Sequence, residues 1–186
     1  MIYIKDEEFI RGNCPMTKEE VRILSIAKLE LKPNYVVIDV GAGTGSVSIQ
    51  ISKICSEGKV IGIEKDKDAL EVLYRNKEKF QADNFEIIEG EALDIEISES
   101  FEGVFIGGSG GNIESIIEKY DKMLKTNHKM VLNFITLDNV YKALNKLKNL
   151  GYKIECSQIA VSKTKGQSLM LIANNPIFIV SGKKQG

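Results

Sequence analysis

The segment of this sequence most able to do chemistry is a glycine-rich turn that follows a buried strand. An apolar, β-branched run over Tyr35–Asp39 leads into the turn, and a helix is predicted over Thr44–Ile54. Glycines allow positive φ angles and let a ligand approach the main chain, and the N–H groups at a helix start face that ligand. We therefore predict cofactor contacts from the end of the strand and from the turn: Asp39, Gly41, Ala42, Gly43, Thr44 and Gly45.

The charge and spacing of this turn indicate which cofactor it binds. A dinucleotide fingerprint would place its third glycine at position 46, where this chain has Ser46. Asp39 precedes Gly41 by two residues and would repel a pyrophosphate but attract a cation. S-adenosylmethionine carries an ammonium and a sulfonium and has no phosphate, so the turn favours it over NAD or FAD. A glycine turn without a ligand is the alternative.

Two further segments at the ends of predicted strands extend the cofactor site. Glu64 ends the second strand and lies 23 residues after Gly41, near the offset of about 20 residues at which an acidic side chain binds ribose. A solvated charge in the run Glu64–Asp68 is the alternative. After the third strand, Phe85–Ile88, a loop brings the small Ala92 alongside the expected adenine, where its backbone N–H and C=O can face the base edge.

A second glycine cluster follows the fourth predicted strand, Phe101–Ile106. Four glycines within five residues place flexible backbone donors opposite the expected methyl group. Such a loop can form an anion nest or let a bulky planar substrate approach, and a simple flexible turn is the alternative. We predict substrate contacts from the whole cluster: Gly107, Gly108, Ser109, Gly110 and Gly111.

Composition and residue counts argue against several classes of function. The 186 residues include 25 basic and 26 acidic side chains, and the net charge of −1 lacks the basic footprint of a nucleic-acid binder. Cys14, Cys55 and Cys156 are scattered and His128 is the one histidine, so no metal-site spacing occurs. No apolar run approaches about 18 residues, which argues against a membrane helix. We expect a cytoplasmic protein, and no side chain is identified as a catalytic acid, base or nucleophile.

The elements that position these residues alternate between β-rich and helical patterns. This order predicts an α/β fold with a mainly parallel sheet, and the last strands are expected to be antiparallel. Lys163–Gly166 is the expected hairpin turn, because it is a short polar stretch with glycine between two β-rich runs. One domain is expected over residues 1–186, with an N-terminal arm over residues 1–16 and a first helix that Thr17 caps.

The motifs resemble those of the Rossmann-like S-adenosylmethionine-dependent methyltransferases. Asp39-x-Gly41-x-Gly43-x-Gly45 followed by Glu64 carries this resemblance, which covers about residues 17–180. The resemblance implies a Rossmann-like, doubly wound α/β sheet that is mainly parallel and has an antiparallel C-terminal hairpin. It also implies S-adenosylmethionine as the cofactor.

A narrower resemblance covers nearly the whole chain. Three blocks occur in order: GNCPMTKEEVR at Gly12–Arg22, DVGAGTGSVS at Asp39–Ser48 and FIGGSGG at Phe105–Gly111. They resemble the decarboxylating precorrin methyltransferases of cobalamin biosynthesis, which methylate carbon-15 of a corrinoid precursor and release carbon dioxide from its ring-C acetate. A free-standing chain of this size is similar to the anaerobic version, which implies cobalt-precorrin-6B as the substrate and cobalt-precorrin-7 as the product.

The same resemblance implies roles for individual residues and an assembly. Thr17, Glu64, Ala92 and the glycine turn would contact the cofactor, and the family assembles as homo-oligomers, here a tetramer with the terminal hairpin as a contact element. The electron-rich macrocycle would itself be the nucleophile, so the protein would align the reacting atoms and exclude water. The substrate carries many carboxylates, so basic groups should line the mouth. The candidates, each with a solvated surface charge as its alternative, are Arg11, Lys18, Arg22, Lys163 and Lys165.

Other functions stay open at this point. Another methyltransferase of the same fold would act on tRNA or on a different small molecule. The fourth strand is not followed by the Asp/Asn-Pro-Pro-aromatic pattern that enzymes methylating amino groups often have, which disfavours DNA or RNA amino-methylation. A nucleotide-binding oxidoreductase and a cofactor-binding module without catalysis are the alternatives from other classes.

Overall fold

The alternating apolar and helical segments fold into an α/β structure. The computed structural model describes residues 3–108 and 110–186, and this part of the chain has five α-helices and nine strands. The helices are α1 (Glu19–Lys28), α2 (Ser46–Ile54), α3 (Lys67–Lys79), α4 (Ile113–Asp121) and α5 (Leu137–Asn149). The strands are β1 (Val36–Val40), β2 (Lys59–Glu64), β3 (Phe85–Glu89), β4 (Phe101–Ile106), β5 (Leu124–Phe134), β6 (Lys153–Ile159), β7 (Ser162–Lys165), β8 (Met170–Ala173) and β9 (Ile177–Lys183). Within the described ranges, no helix is long and apolar enough to cross a membrane.

Seven of these strands form one sheet with the order β3-β2-β1-β4-β5-β9-β6. Strands β1 to β5 are parallel in this sheet, whereas β9 pairs antiparallel with both β5 and β6. From β1 the chain adds β2 and β3 on one side and then β4 and β5 on the other, so the strand order reverses between β1 and β4. The carboxyl ends of β1 and β4 form the crevice in which doubly wound folds bind ligands. The predicted Rossmann-like fold, mainly parallel with antiparallel C-terminal strands, is confirmed.

Side-chain alternation along the strands explains why helices cover both faces of the sheet. In β1, Val37 belongs to one apolar core and Ile38 to the other. Helices α1, α2 and α3 supply residues to the first core, and α4 and α5 supply residues to the second. Because successive side chains of a strand point to opposite faces, β1 is apolar on both sides apart from one buried carboxyl group, that of Asp39.

Two local predictions about element boundaries are wrong. Lys18, not Thr17, is the N-cap of α1, and no side chain caps this helix. Lys163 belongs to strand β7, which pairs with β8 as a separate two-stranded sheet, and the turn of this hairpin covers residues 166–169 instead. By contrast, Asp66 caps α3 as its position predicts, since its Oδ1 atom accepts a hydrogen bond of 2.9 Å from the Ala69 N–H.

Candidate active site

A cleft of about 790 Å³ opens at the carboxyl ends of the parallel strands. Its lining residues fall into two groups, named here by their most distinctive members. The glycine-turn half includes Asn13–Lys18, Asp39–Thr44, Glu64–Asp66, Asp68 and Gly90–Ala92. The asparagine half comprises Asn133–Ile135, Asn139, Asn174, Asn175 and Ile177. The cleft therefore brings the predicted cofactor residues together with a set of residues that the motifs did not identify.

The glycine turn has the backbone conformation that its sequence predicts. Gly41, Gly43 and Gly45 have φ angles of 74°, 56° and 78°, which residues other than glycine rarely adopt. The N–H groups of Gly41 and Ala42 both donate to the Ile63 carbonyl, at 2.9 and 3.0 Å, so the turn is anchored to β2. Gly41, Ala42, Gly43 and Thr44 line the cleft, whereas Gly45 is the N-cap of α2 and is not among the lining residues.

Glu64 lines the glycine-turn half and is nearly buried. Its Oε2 atom accepts a hydrogen bond of 2.8 Å from the Gly43 N–H, and its Oε1 atom accepts from the N–H groups of Lys65 and Asp66, at 2.8 and 2.9 Å. A carboxylate has roughly four acceptor positions, so about one remains. The structure thus gives Glu64 a role that its spacing did not predict, which is to join the glycine turn to the start of α3.

Asp39 is buried beneath the glycine turn, with 1% of its surface exposed. Its Oδ2 atom accepts a hydrogen bond from the Ser48 hydroxyl, and its Oδ1 atom has no partner among the described residues. Burial, and secondarily the charge of Glu64, raises the pKa of Asp39 from its ordinary value of 3.8 to about 7. Burial therefore disfavours the negative charge that the sequence predicts at this position.

Relative to an Asp39→Asn variant, the wild-type protein should lose stability as pH rises from about 4 to above 7. The folded pKa is raised above the unfolded value, so in this range the folded protein holds a proton that the unfolded chain has released. The contribution of the Asp39 carboxyl group to the free energy of unfolding is fully present below the pKa of the unfolded chain. It is lost as the pH rises through the pKa of the folded protein. Urea unfolding of both proteins across this pH range tests the prediction. The same dependence of the free energy of unfolding on pH in the two proteins would contradict it.

Ala92 and Thr17, both predicted to contact the cofactor, line the cleft. The Ala92 carbonyl accepts a hydrogen bond of 3.0 Å from the Tyr120 hydroxyl, so this acceptor already has a protein partner. The Thr17 carbonyl accepts a hydrogen bond of 2.8 Å from the Arg22 guanidinium. Residues 13–18 extend along the wall of the cleft instead of joining α1, which is why Thr17 does not cap that helix.

The second glycine cluster crosses close to the glycine turn. The Gly107 N–H donates to the Val40 carbonyl at 3.0 Å, and a Cβ atom built on Gly41 would lie 3.0 Å from the Gly108 nitrogen. Gly107, Gly108 and Gly110 line the cleft, whereas Gly111 is not among the lining residues. Ser109, the remaining predicted substrate contact, lies outside the described residues. This close packing makes the two loops one continuous floor between the halves of the cleft.

The asparagine half is polar without being charged. Asn133 follows the apolar residues of β5, and its Nδ2 atom is buried with no partner among the described residues, while the Ser25 hydroxyl lies 3.0 Å from its Oδ1 atom. Phe134 and the exposed Ile135 continue the wall. A polar residue at the carboxyl end of a parallel strand is a signal that could have identified Asn133 from the sequence.

The expectation that basic groups line the mouth is largely wrong. Arg22 is fully buried and donates to Asp6 Oδ1 at 2.9 Å, besides Thr17, so it is structural. Lys163 pairs with Glu20 at 2.6 Å, outside the cleft lining. Of the five candidates, only Lys18 is among the described lining residues, whereas Arg11 and Lys165 are not. Lys65, which the motifs did not select, also lines the cleft.

Comparison with known proteins gives a consistent result along the whole chain. The sequence model of the precorrin methyltransferase domain matches residues 8–184. The chain is 43% identical to a protein of Sulfurisphaera tokodaii named as a probable cobalt-precorrin-6B C(15)-methyltransferase (decarboxylating), over 97% of each chain. It is 38% identical to the cobalt-precorrin-6B C(15)-methyltransferase (decarboxylating) of Salmonella typhimurium, over 98% of this chain and 96% of that one.

A solved structure is also similar to this chain over nearly its full length. The precorrin-6y C5,15-methyltransferase of Geobacter metallireducens superposes with a TM-score of 0.92 at 38% sequence identity. The match covers 99% of this chain and 97% of that chain. The likeness therefore includes both halves of the cleft and the N-terminal residues that line it.

Proposed function

The chain belongs to the precorrin methyltransferase family, and we propose that it methylates carbon-15 of cobalt-precorrin-6B and removes carbon dioxide from the ring-C acetate. It is a methyltransferase; the proposed methyl donor is S-adenosylmethionine and the proposed product is cobalt-precorrin-7. The observation that carries this proposal is that relatives named for this reaction match along nearly the full length of both chains. A cytoplasmic location is part of the proposal, and the free thiols of Cys14, Cys55 and Cys156 support it.

The glycine-turn half has polar atoms that a cationic methyl donor would satisfy. Asp39 Oδ1 and Thr44 Oγ1 are buried there without a partner among the described residues, and such atoms are costly unless a ligand or water pairs with them. An ammonium group would give Asp39 Oδ1 its missing hydrogen bond and favour the ionised carboxylate. Glu64 would bind one ribose hydroxyl through the acceptor position left on Oε2, with adenine beside Ala92.

When bound, S-adenosylmethionine supplies a positively charged sulfonium with a transferable methyl group. The chain's own residues align the reacting atoms and exclude water. The cluster Gly107–Gly111 has no Cβ atoms at its glycines, which supports close approach of a flat macrocycle to the floor of the cleft. Because the macrocycle is electron-rich, the ring carbon attacks without help from a protein nucleophile.

The uncharged asparagine half suits the second part of the proposed reaction. A carboxylate held against amide and apolar groups is less stabilised than it is in water. The dispersed charge that forms as its C–C bond breaks loses less of this stabilisation, so the neutral surroundings favour bond breaking. Asn133 Nδ2 has no partner among the described residues and would donate to such a carboxylate, and the apolar Phe134 and Ile135 line the cleft beside it. This supports a site in which neutral groups, instead of cations, hold the reacting edge of the corrinoid.

Anaerobic turnover followed by mass spectrometry tests the proposal. Cobalt-precorrin-6B is incubated with the protein and S-adenosylmethionine whose methyl carbon is isotopically labelled. The expected product has gained one labelled methyl group and lost one carbon dioxide. A product with neither change would overturn the proposed reaction. Calorimetry with S-adenosylhomocysteine and with NAD separates the classes, since an oxidoreductase would bind NAD in preference.

We also propose that the chain assembles as a homotetramer through the hairpin of β7 and β8. A two-stranded sheet by itself is marginally stable, yet this one carries a run of exposed apolar side chains. Leu169, Met170, Leu171 and Ile172 are 67%, 61%, 68% and 41% exposed in the single chain. A second copy offers the same apolar hairpin, so pairing of hairpins between copies would bury both.

Replacing Leu171 by Glu should break this assembly. A charge placed in an apolar contact between copies would have to be desolvated without a partner, which disfavours association. Light scattering coupled to size exclusion should show a tetramer for the wild type and a smaller species for the variant. Leu137→Glu is the matched control, since Leu137 is 71% exposed but lies at the start of α5. An unchanged mass for Leu171→Glu would rule the hairpin out as the contact.

A further inference from the structure

The N-terminal segment Ile4–Lys18, called the strap here, is held by buried polar side chains from three helices. Arg22 of α1 donates to the Ile4 carbonyl at 2.6 Å and to Asp6 and Thr17. Gln50 of α2 accepts a hydrogen bond of 2.8 Å from the Ile4 N–H. Both side chains are fully buried, so the hydrogen bonds to the strap offset part of the cost of removing their polar atoms from water.

Asn76 of α3 holds the strap in a different way, because it also holds the glycine turn. Its Oδ1 atom accepts a hydrogen bond of 2.8 Å from the Ile10 N–H, and its Nδ2 atom donates to the Ile10 carbonyl at 3.0 Å. The same Nδ2 atom donates to the Thr44 carbonyl at 2.9 Å. Asn76 is fully buried, so one amide group joins two segments that are distant in sequence.

The strap and the glycine turn then meet across the cleft. Residues Asn13–Lys18 line the glycine-turn half, and a Cβ atom built on Gly43 would lie 3.3 Å from the Pro15 carbonyl oxygen. A ligand in this half is therefore enclosed by the turn on one side and by the strap on the other. Asn76 lies behind both, outside the residues that line the cleft.

We propose that Asn76 is a positioning residue for the methyl donor, because it joins the strap to the glycine turn so that the two walls bind the donor as one unit. The inference rests on the proposed function in one respect, namely that the donor binds in the glycine-turn half. Asn76 does not line the cleft, so it would touch neither the donor nor the substrate. Loss of the Asn76 hydrogen bonds would make the strap and the glycine turn less pre-organised for the donor, and would leave the reacting groups in place.

The first test is on the wild-type protein and needs no variant. Hydrogen exchange is measured over the strap with and without S-adenosylhomocysteine. The Ile10 N–H donates to Asn76, and Ile10 does not line the cleft, so slower exchange of the Ile10 amide on ligand binding is expected when Asn76 couples the strap to the turn. Protection confined to Asn13–Lys18 would overturn the inference.

The second test compares two substitutions on α3. Asn76→Ala removes the link to both walls and should raise the Kd for S-adenosylhomocysteine by about tenfold or more, since up to three hydrogen bonds are lost. Lys79→Met is the matched control. Lys79 donates to the Glu8 carbonyl of the strap and makes no contact with the turn, so its Kd should stay within about twofold.

Turnover kinetics distinguish positioning from general damage. With Asn76→Ala, KM for S-adenosylmethionine should rise while kcat at saturation and KM for the corrinoid change little. Equal Kd values for Asn76→Ala and the wild type would overturn the inference and leave the proposed function intact. Failure of the wild type to bind S-adenosylhomocysteine would instead overturn the proposed function. If Asn76→Ala does not fold, the exchange experiment on the wild type decides.

Discussion

Replacing Glu64 by Ala is expected to weaken binding of S-adenosylmethionine by about 1–3 kcal/mol, through the loss of a charge-assisted hydrogen bond to ribose. The loss has a second source in the free protein. Glu64 holds the N–H groups of Gly43, Lys65 and Asp66, so the variant also frees the glycine turn from the start of α3. Calorimetric titration with S-adenosylhomocysteine measures the affinity, and thermal unfolding measures the accompanying loss of stability.

Two further variants identify the origin of this effect. Glu86→Ala is the control, since Glu86 is an exposed glutamate of β3 whose partner is Lys59, at the opposite end of the sheet from the cleft. Its affinity for the ligand should equal that of the wild type. Glu64→Gln keeps the size of the side chain but turns one acceptor atom into a donor that faces backbone N–H groups, so it should lose affinity as well. Unchanged affinity in Glu64→Ala would remove Glu64 from the site.

Replacing Gly41 by Ala should lower the free energy of unfolding by roughly 2–5 kcal/mol, from backbone strain and overpacking together. The φ angle of 74° costs about 1–2 kcal/mol for a residue with a Cβ atom. The added Cβ atom would also lie 3.0 Å from the Gly108 nitrogen and 3.2 Å from its Cα and carbonyl oxygen. These are backbone atoms that cannot rotate away, so the floor of the cleft must shift. Urea unfolding measures the stability, and methyl transfer should fall with it.

Gly151→Ala separates the two causes. Gly151 follows the C-cap of α5 and has a φ angle of 78°, nearly that of Gly41, but a Cβ atom there would meet nothing within 4 Å. This control should therefore show the backbone strain alone, about 1–2 kcal/mol. The excess in Gly41→Ala reports the contact between the glycine turn and the second glycine cluster. Equal losses in the two variants would contradict that contact.

The glycine turn and the parallel strands could be predicted from the sequence because their signals are local. The run before Gly41 is apolar at successive positions, which is the pattern of a strand buried on both faces. Positive φ angles at alternate positions require glycine, so the turn is recorded directly in residue types. Glu64 followed from its distance along the chain, because β2 lies beside β1 and their carboxyl ends are level.

The predictions for Thr17 and Arg22 were wrong because contacts with distant segments of the chain decide where these residues lie. Thr17 has the residue pattern of a helix cap, yet the chain is extended there because residues 13–18 form a wall of the cleft. Arg22 was expected at the mouth because it is charged. Its burial depends on acceptors in the strap, and on the Phe9 ring, whose centroid lies 4.9 Å from its guanidinium carbon. Neither environment can be inferred from the neighbours of Thr17 or Arg22 in the sequence.

By itself, the sequence determined the alternation of strands and helices, the shape of the glycine turn and the family resemblance, since each depends on residue types at short spacing. Tertiary structure alone decided which polar groups are shared between distant segments. Asn76 meets Ile10 across 66 positions, and Ser25 meets Asn133 across 108. Hydrogen bonds of this kind are set by which surfaces the packed helices bring together, and a buried amide has the same sequence signature whether it holds a strap, a turn or nothing.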